Sequence, residues 1–126
     1  LEECALEEIH SIEDALNFIR NNPIALLYFS NDHCTSCMAM QVKIKSLLAE
    51  LPAVQFEQVS VQHHPDVPPY FQVFAAPFFI VFVYGKEAYR QGRFFDIRHF
   101  REQLERIIAS MAHESANDRF PPLEKG

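Results

Sequence analysis

The sequence predicts an α/β domain, a three-layer α/β/α sandwich built around a mixed central β-sheet. Three observations carry that expectation. Apolar runs of strand length alternate with stretches of helical periodicity. Residues 24–30 are almost continuously apolar, the pattern of a strand covered on both faces near a sheet centre. Residues 78–84 and 87–92 flank Gly85-Lys86, the pattern of an antiparallel hairpin.

Each element follows from its residues in turn. A weak strand is expected at the N-terminus. Residues 11–22 form the first helix, with Ser11 as N-cap and Glu13 and Asp14 in the first turn. Ile12, Ala15, Leu16 and Ile19 make its buried stripe, and Asn21, Asn22 and Pro23 stop it. After strand 24–30, Asn31, Asp32 and His33 make a short polar loop. A second helix covers 34–51 and ends at Pro52, with Met40, Ile44, Leu47, Leu48 and Leu51 on its apolar face. Residues 54–61 form another strand. The stretch HHPDVPPYFQVFAA is broken by prolines and has room for one helical turn. The hairpin follows, and Asp96 caps a last helix with the stripe Ile97, Phe100, Leu104, Ile107, Ile108 and Met111. The domain is expected to span 1–112, with 113–126 as a polar tail.

The bulk properties exclude several function classes. The net charge of −6 and the absence of a basic run argue against nucleic acid and anionic membranes as partners. No apolar stretch reaches the roughly 20 residues that a spanning helix needs. LEECALEEIH is acidic and lacks the pattern of a secretory signal. Three cysteines, only two of them close together, are not a secreted disulfide framework, so a cytoplasmic location is expected. Cys4 is expected to be incidental, with intermolecular pairing as the alternative.

The chemistry lies in Cys34-Thr35-Ser36-Cys37. These residues open a helix directly after a buried strand. Unpaired N–H groups and the positive end of the helix dipole stabilise an anion there. A thiolate at Cys34 is such an anion, and the thiolate is the attacking species in disulfide exchange. Cys37, three residues on, is placed to resolve a mixed disulfide. This chemistry needs no bound cofactor. A C-x-x-C pair can also be half of a zinc site, with Cys4, His33, His63 and His64 as the remaining donors to consider. A βαβ context favours redox chemistry. A c-type haem attachment is ruled out because Met38, not His, follows the second cysteine.

Pro77 follows Ala75-Ala76 and heads the most hydrophobic strand, where a proline marks a strand's first residue. With that proline about forty residues after the C-x-x-C helix start, the chain resembles the thioredoxin family over residues 9–111. The resemblance implies a cis bond between Ala76 and Pro77, facing the sulfurs, in a loop whose backbone binds an extended substrate. It also implies that Gly92 lets another chain approach. Ala76, Pro77, Gly92 and His33 are therefore the expected substrate-binding positions, with a protonated His33 favouring the Cys34 thiolate. Phe74 and Phe78 flank the loop as candidates to line a groove. The chain departs from the family pattern at several places. His33 replaces a tryptophan, Thr35-Ser36 replaces Gly-Pro, and Met38 replaces a basic residue. Tyr28 and Gln58 align with the family's buried acid and its lysine partner. Losing both together avoids an unpaired buried charge.

The expected activity is thiol–disulfide exchange, with Cys34 attacking and Cys37 resolving. The expected partners are protein disulfides and a reductase that supplies electrons, and the protein is expected to be a monomer. The alternatives are an adaptor module of this fold with little turnover and a metal or iron–sulfur binding protein.

Overall fold

A central strand of seven residues, Ile24–Ser30, organises the molecule. The computed structural model describes residues 9–92 and 94–117. Cys4, the weak first strand and the end of the polar tail lie outside those residues. The chain divides into two units, Leu1–Phe95 and Asp96–Gly126. The first contains α1 (Ile12–Asn21), β1 (Ile24–Ser30), α2 (Thr35–Leu48), β2 (Gln55–Ser60), α3 (Val67–Tyr70), β3 (Phe78–Val83) and β4 (Lys86–Gly92). The second contains α4 (Ile97–Asn117).

The sheet is mixed, in the order β2-β1-β3-β4. β1 pairs in parallel with β2 and antiparallel with β3, and β3 pairs antiparallel with β4. β1 is buried from Ile24 to Phe29, as its continuous apolar run requires. Its side chains alternate between two faces. Ala25, Leu27 and Phe29 join a core with Ala15 and Ile19 of α1 and Val67 of α3. Tyr28 points the other way, towards Cys37 of α2. Helices thus lie on both faces of the sheet within the first unit. At the far side of β2, the Ile9 N–H donates to the Gln58 C=O at 2.9 Å.

Several element ends differ from the sequence-based bounds for local reasons. Ser11 caps α1 as expected, its Oγ accepting the Asp14 N–H at 3.0 Å. α2 ends at Leu48 rather than 51. Beyond it, Glu50 N–H bonds Leu47 C=O and Leu51 N–H bonds Leu48 C=O, so the chain tightens into three-residue turns before Pro52. The hairpin turn falls on Tyr84 and Gly85, with φ of 50° and 84°, not on Gly85-Lys86. Positive φ at both central residues suits the right-handed twist of the flanking strands. The β3–β4 register shifts between Val81 and Phe82: Val81 faces Tyr89 and Phe82 faces Glu87, which leaves Ala88 as the extra residue of a bulge.

In the second unit, Asp96 Oδ1 accepts the Arg98 N–H at 3.0 Å, and the Asp96 C=O accepts from Phe100. α4 continues to Asn117, past the boundary drawn at residue 112. Among the described residues, no helix is long and apolar enough to cross a membrane.

Candidate active site

β1 and β3 run in opposite directions with Phe29 opposite Phe78, and β4 brings Gly92 opposite Phe78. This register gathers three features at one end of the sheet. They are the loop leaving β1 towards the cysteines, the Ala76–Pro77 step entering β3, and Gly92 at the end of β4. The sequence separates them by tens of residues, and strand pairing brings them together.

Cys34 and Cys37 are joined in a disulfide, with Cα atoms 5.1 Å apart. Cys34 is the N-cap of α2, and its Sγ accepts the Cys37 N–H at 3.1 Å. A sulfur thus takes the place that a serine or aspartate oxygen fills in most helices, satisfying one of the unpaired N–H groups of the first turn. A thiolate accepts such a bond better than a thiol does. The Ser36 Oγ lies 3.6 Å from the same sulfur. Cys34 is half-buried, while Cys37 is only 2% exposed.

The loop before Cys34 is held from β2's side. The Asp32 N–H donates to Gln62 Oε1 at 3.0 Å, and the Asp32 carboxylate lies 3.2 Å from His63 Nε2. His33 follows with φ of 57°, in the left-handed region that costs a non-glycine residue about 1 kcal/mol, and its side chain is exposed. His64 turns away from this tether and meets His10, with Nε2 and Nδ1 3.3 Å apart. Among the described residues, no group of three or more His, Cys, Asp or Glu side chains has the spacing to hold a metal ion.

Below the disulfide, the Tyr28 hydroxyl donates to the Cys37 C=O at 2.5 Å. Tyr28 is fully buried, and that burial pushes its hydroxyl pKa far above the ordinary tyrosine value. In the parallel ladder Tyr28 stands opposite Gln58. A neutral phenol and a neutral amide therefore occupy the pair of positions that the family resemblance assigns to an acid and a lysine.

The Ala76–Pro77 bond is cis, as the resemblance implied, and Pro77 is buried. A Cβ built on Gly92 would lie 3.4 Å from Phe78 Cδ1 and 3.9 Å from the Pro77 C=O. Gly92 thus borders the backbone of the proline loop. Phe74 is 82% exposed beside that loop. Phe78 is half-buried, its ring lying under the Arg90 guanidinium at 5.5 Å. The Tyr28 contact, the Asp32 tether and the Arg90 contact were not foreseen from sequence. The only available signal was the departure at Tyr28 itself.

The comparisons with known proteins agree with this geometry. The family model described as Thioredoxin matches residues 10–109. The chain is 26% identical over 99 residues to Thioredoxin-like protein YdfQ of Bacillus subtilis, covering 79% of this chain and 88% of that protein. It is 25% identical over 113 residues to Thioredoxin-like protein YusE of the same organism, covering 90% and 99%. Among solved structures, mitochondrial thioredoxin 3 of Saccharomyces cerevisiae superposes with a TM-score of 0.72 at 20% identity, covering 81% of this chain and 95% of the yeast one. At that identity the likeness concerns the fold.

Proposed function

The chain belongs to the thioredoxin family and is a thiol–disulfide oxidoreductase, and we propose that it works in the reducing direction, on protein disulfides. The closed Cys34–Cys37 pair at the N-terminus of α2 carries the exchange chemistry, and the reducing direction draws on the low cysteine count, which suits a reducing compartment.

In the reduced protein, the Cys34 thiolate attacks one sulfur of a substrate disulfide. The substrate S–S bond breaks, a mixed disulfide forms at Cys34, and the displaced substrate thiolate takes up a proton. Cys37 then loses its proton and attacks the Cys34 sulfur. The mixed disulfide breaks, the second substrate thiol leaves, and the Cys34–Cys37 bond closes. Two electrons have passed from the protein to the substrate. A reductase would return them. Ala76, Pro77, Gly92 and His33 are the proposed surface for the substrate chain, the first three supported by their common position at the end of the sheet. The proposal extends to a monomer in the reducing cytoplasm with neither nucleic acid nor membrane as partner, supported by the net charge of −6 and the low cysteine count.

The reduction potential of the Cys34–Cys37 couple, measured against dithiothreitol and glutathione buffers, tests the direction. A value near about −270 mV is expected for a reductant, and one near about −120 mV would make the protein an oxidant instead. A second reading, an adaptor with little turnover, draws on the neutral Tyr28–Gln58 pair. Turnover of insulin disulfides with dithiothreitol as electron source separates the two, since an adaptor would show none.

A further inference from the structure

Arg90 is committed on three sides. Its Nε and Nη2 donate to the Glu87 carboxylate at 2.6 and 2.8 Å. Nη2 also donates to the Phe71 C=O at 2.9 Å, and Nη1 donates to the Gln72 C=O at 3.1 Å. The guanidinium carbon lies 5.5 Å from the centre of the Phe78 ring.

The targets of these contacts delimit one segment. Phe71 and Gln72 are where α3 stops and the connection to β3 begins. Gln72 has φ of 59°, a conformation that a non-glycine residue keeps only when its surroundings hold it. Phe78 is where the connection ends. Between them lie exposed Phe74, Ala75, Ala76 and the cis Pro77. One side chain therefore fastens both ends of the loop proposed to bind substrate. The Glu87 carboxylate fixes the plane of the guanidinium, which leaves its other edge aimed at the two carbonyls. A lysine has a single point of charge and cannot span a carboxylate and two carbonyls at once.

We propose that Arg90 is a positioning residue that sets the shape of the 73–77 loop, so that it governs the recognition of protein disulfides and not the thiol chemistry. This rests on the thiol–disulfide activity described above. The distinction matters because a chain-binding loop helps only a substrate long enough to lie along it, whereas a small disulfide needs only access to Cys34.

The test compares the parent with Arg90→Lys and Glu87→Gln on two substrates, insulin and bis(2-hydroxyethyl) disulfide. Arg90→Lys is expected to raise KM for insulin about ten-fold, with kcat and the rate on the small disulfide within about two-fold of the parent. Glu87→Gln keeps the arginine but loosens its plane, so a smaller rise in KM in the same direction is expected. Amide hydrogen exchange should quicken across 71–77 and not across 34–40. Equal losses on both substrates, or an unchanged KM for insulin, would overturn the proposal. If Arg90→Lys fails to fold, an unchanged KM in Glu87→Gln overturns it alone. A parent that reduces neither disulfide would instead overturn the activity itself.

Discussion

Cys34 and Cys37 belong to one short motif but meet different surroundings. Cys34 sits at the cap, half-exposed, with an N–H aimed at its sulfur, and Cys37 is closed in. In the reduced protein at neutral pH, iodoacetamide should therefore label Cys34 well before Cys37. Peptide mass spectrometry reads the order, and early labelling of Cys37 would reverse the two roles. Tyr28 gives a second test. The folded protein tolerates only its neutral phenol, because burial raises its pKa. Below tyrosine's ordinary value of about 10, the folded and unfolded states both keep this proton and the stabilisation is complete. Above that value the unfolded chain loses the proton while the folded chain holds it, so stability falls as pH rises, by up to about 1.4 kcal/mol per pH unit. At pH 8, Tyr28→Phe should cost about 1 kcal/mol for the lost hydrogen bond to Cys37. At pH 11 most of that difference should vanish. Urea unfolding of both proteins at the two pH values measures it, and an unchanged difference would show that Tyr28 is not the group concerned.

At the scale of elements, the register of β1 on β2 sets Tyr28 against Gln58 beneath Cys37, the proposed resolving cysteine. Nothing at those two positions can take a proton from Cys37 near neutral pH. The Tyr28→Asp, Gln58→Lys double variant supplies a base together with its cationic partner. It should break a preformed Cys34 mixed disulfide faster at pH 7 than the parent does. Stopped-flow decay of that species checks this, and equal rates in two folded proteins would mean that another group already serves. The strands and helices were legible from sequence because their burial repeats at the period of the element, as in the continuous run of β1 or the stripe of α1. The C-x-x-C pair and Pro77 were legible because their meaning lies in spacing along the chain. The Arg90 clamp was not. Residues three apart on a regular strand point to opposite faces, so Glu87 and Arg90 gave no sign of meeting. The bulge absorbs Ala88 and turns them to one side. The link from Tyr28 to the Cys37 carbonyl was hidden for a similar reason, since it spans two elements joined only by the fold.

For the molecule as a whole, the net charge of −6 bears on which disulfides approach fastest. A cationic small disulfide such as cystamine should react with the reduced protein faster than anionic glutathione disulfide, beyond their intrinsic difference with free thiol. Raising salt from about 0.01 M to 0.5 M should shrink the ratio, because the screening length falls well below 10 Å. A ratio indifferent to salt would mean that local contacts, not the overall field, select the substrate. The order of the sheet has a different consequence, for the survival of the protein outside its native state. β3, the run FFIVFV, has no charge, no proline and strong β-propensity, the signature of a segment able to template cross-β polymers. In the native sheet both its edges are taken, by β1 and β4. β4, at the rim, carries Lys86, Glu87 and Arg90 and a bulge, the usual guards against one molecule adding to another. The sticky strand is thus sealed in and the guarded one faces outward, so the hazard is met only when the chain unfolds. After heating, recovery of native protein should fall steeply as concentration rises, and light scattering should follow the loss of the β3–β4 pairing.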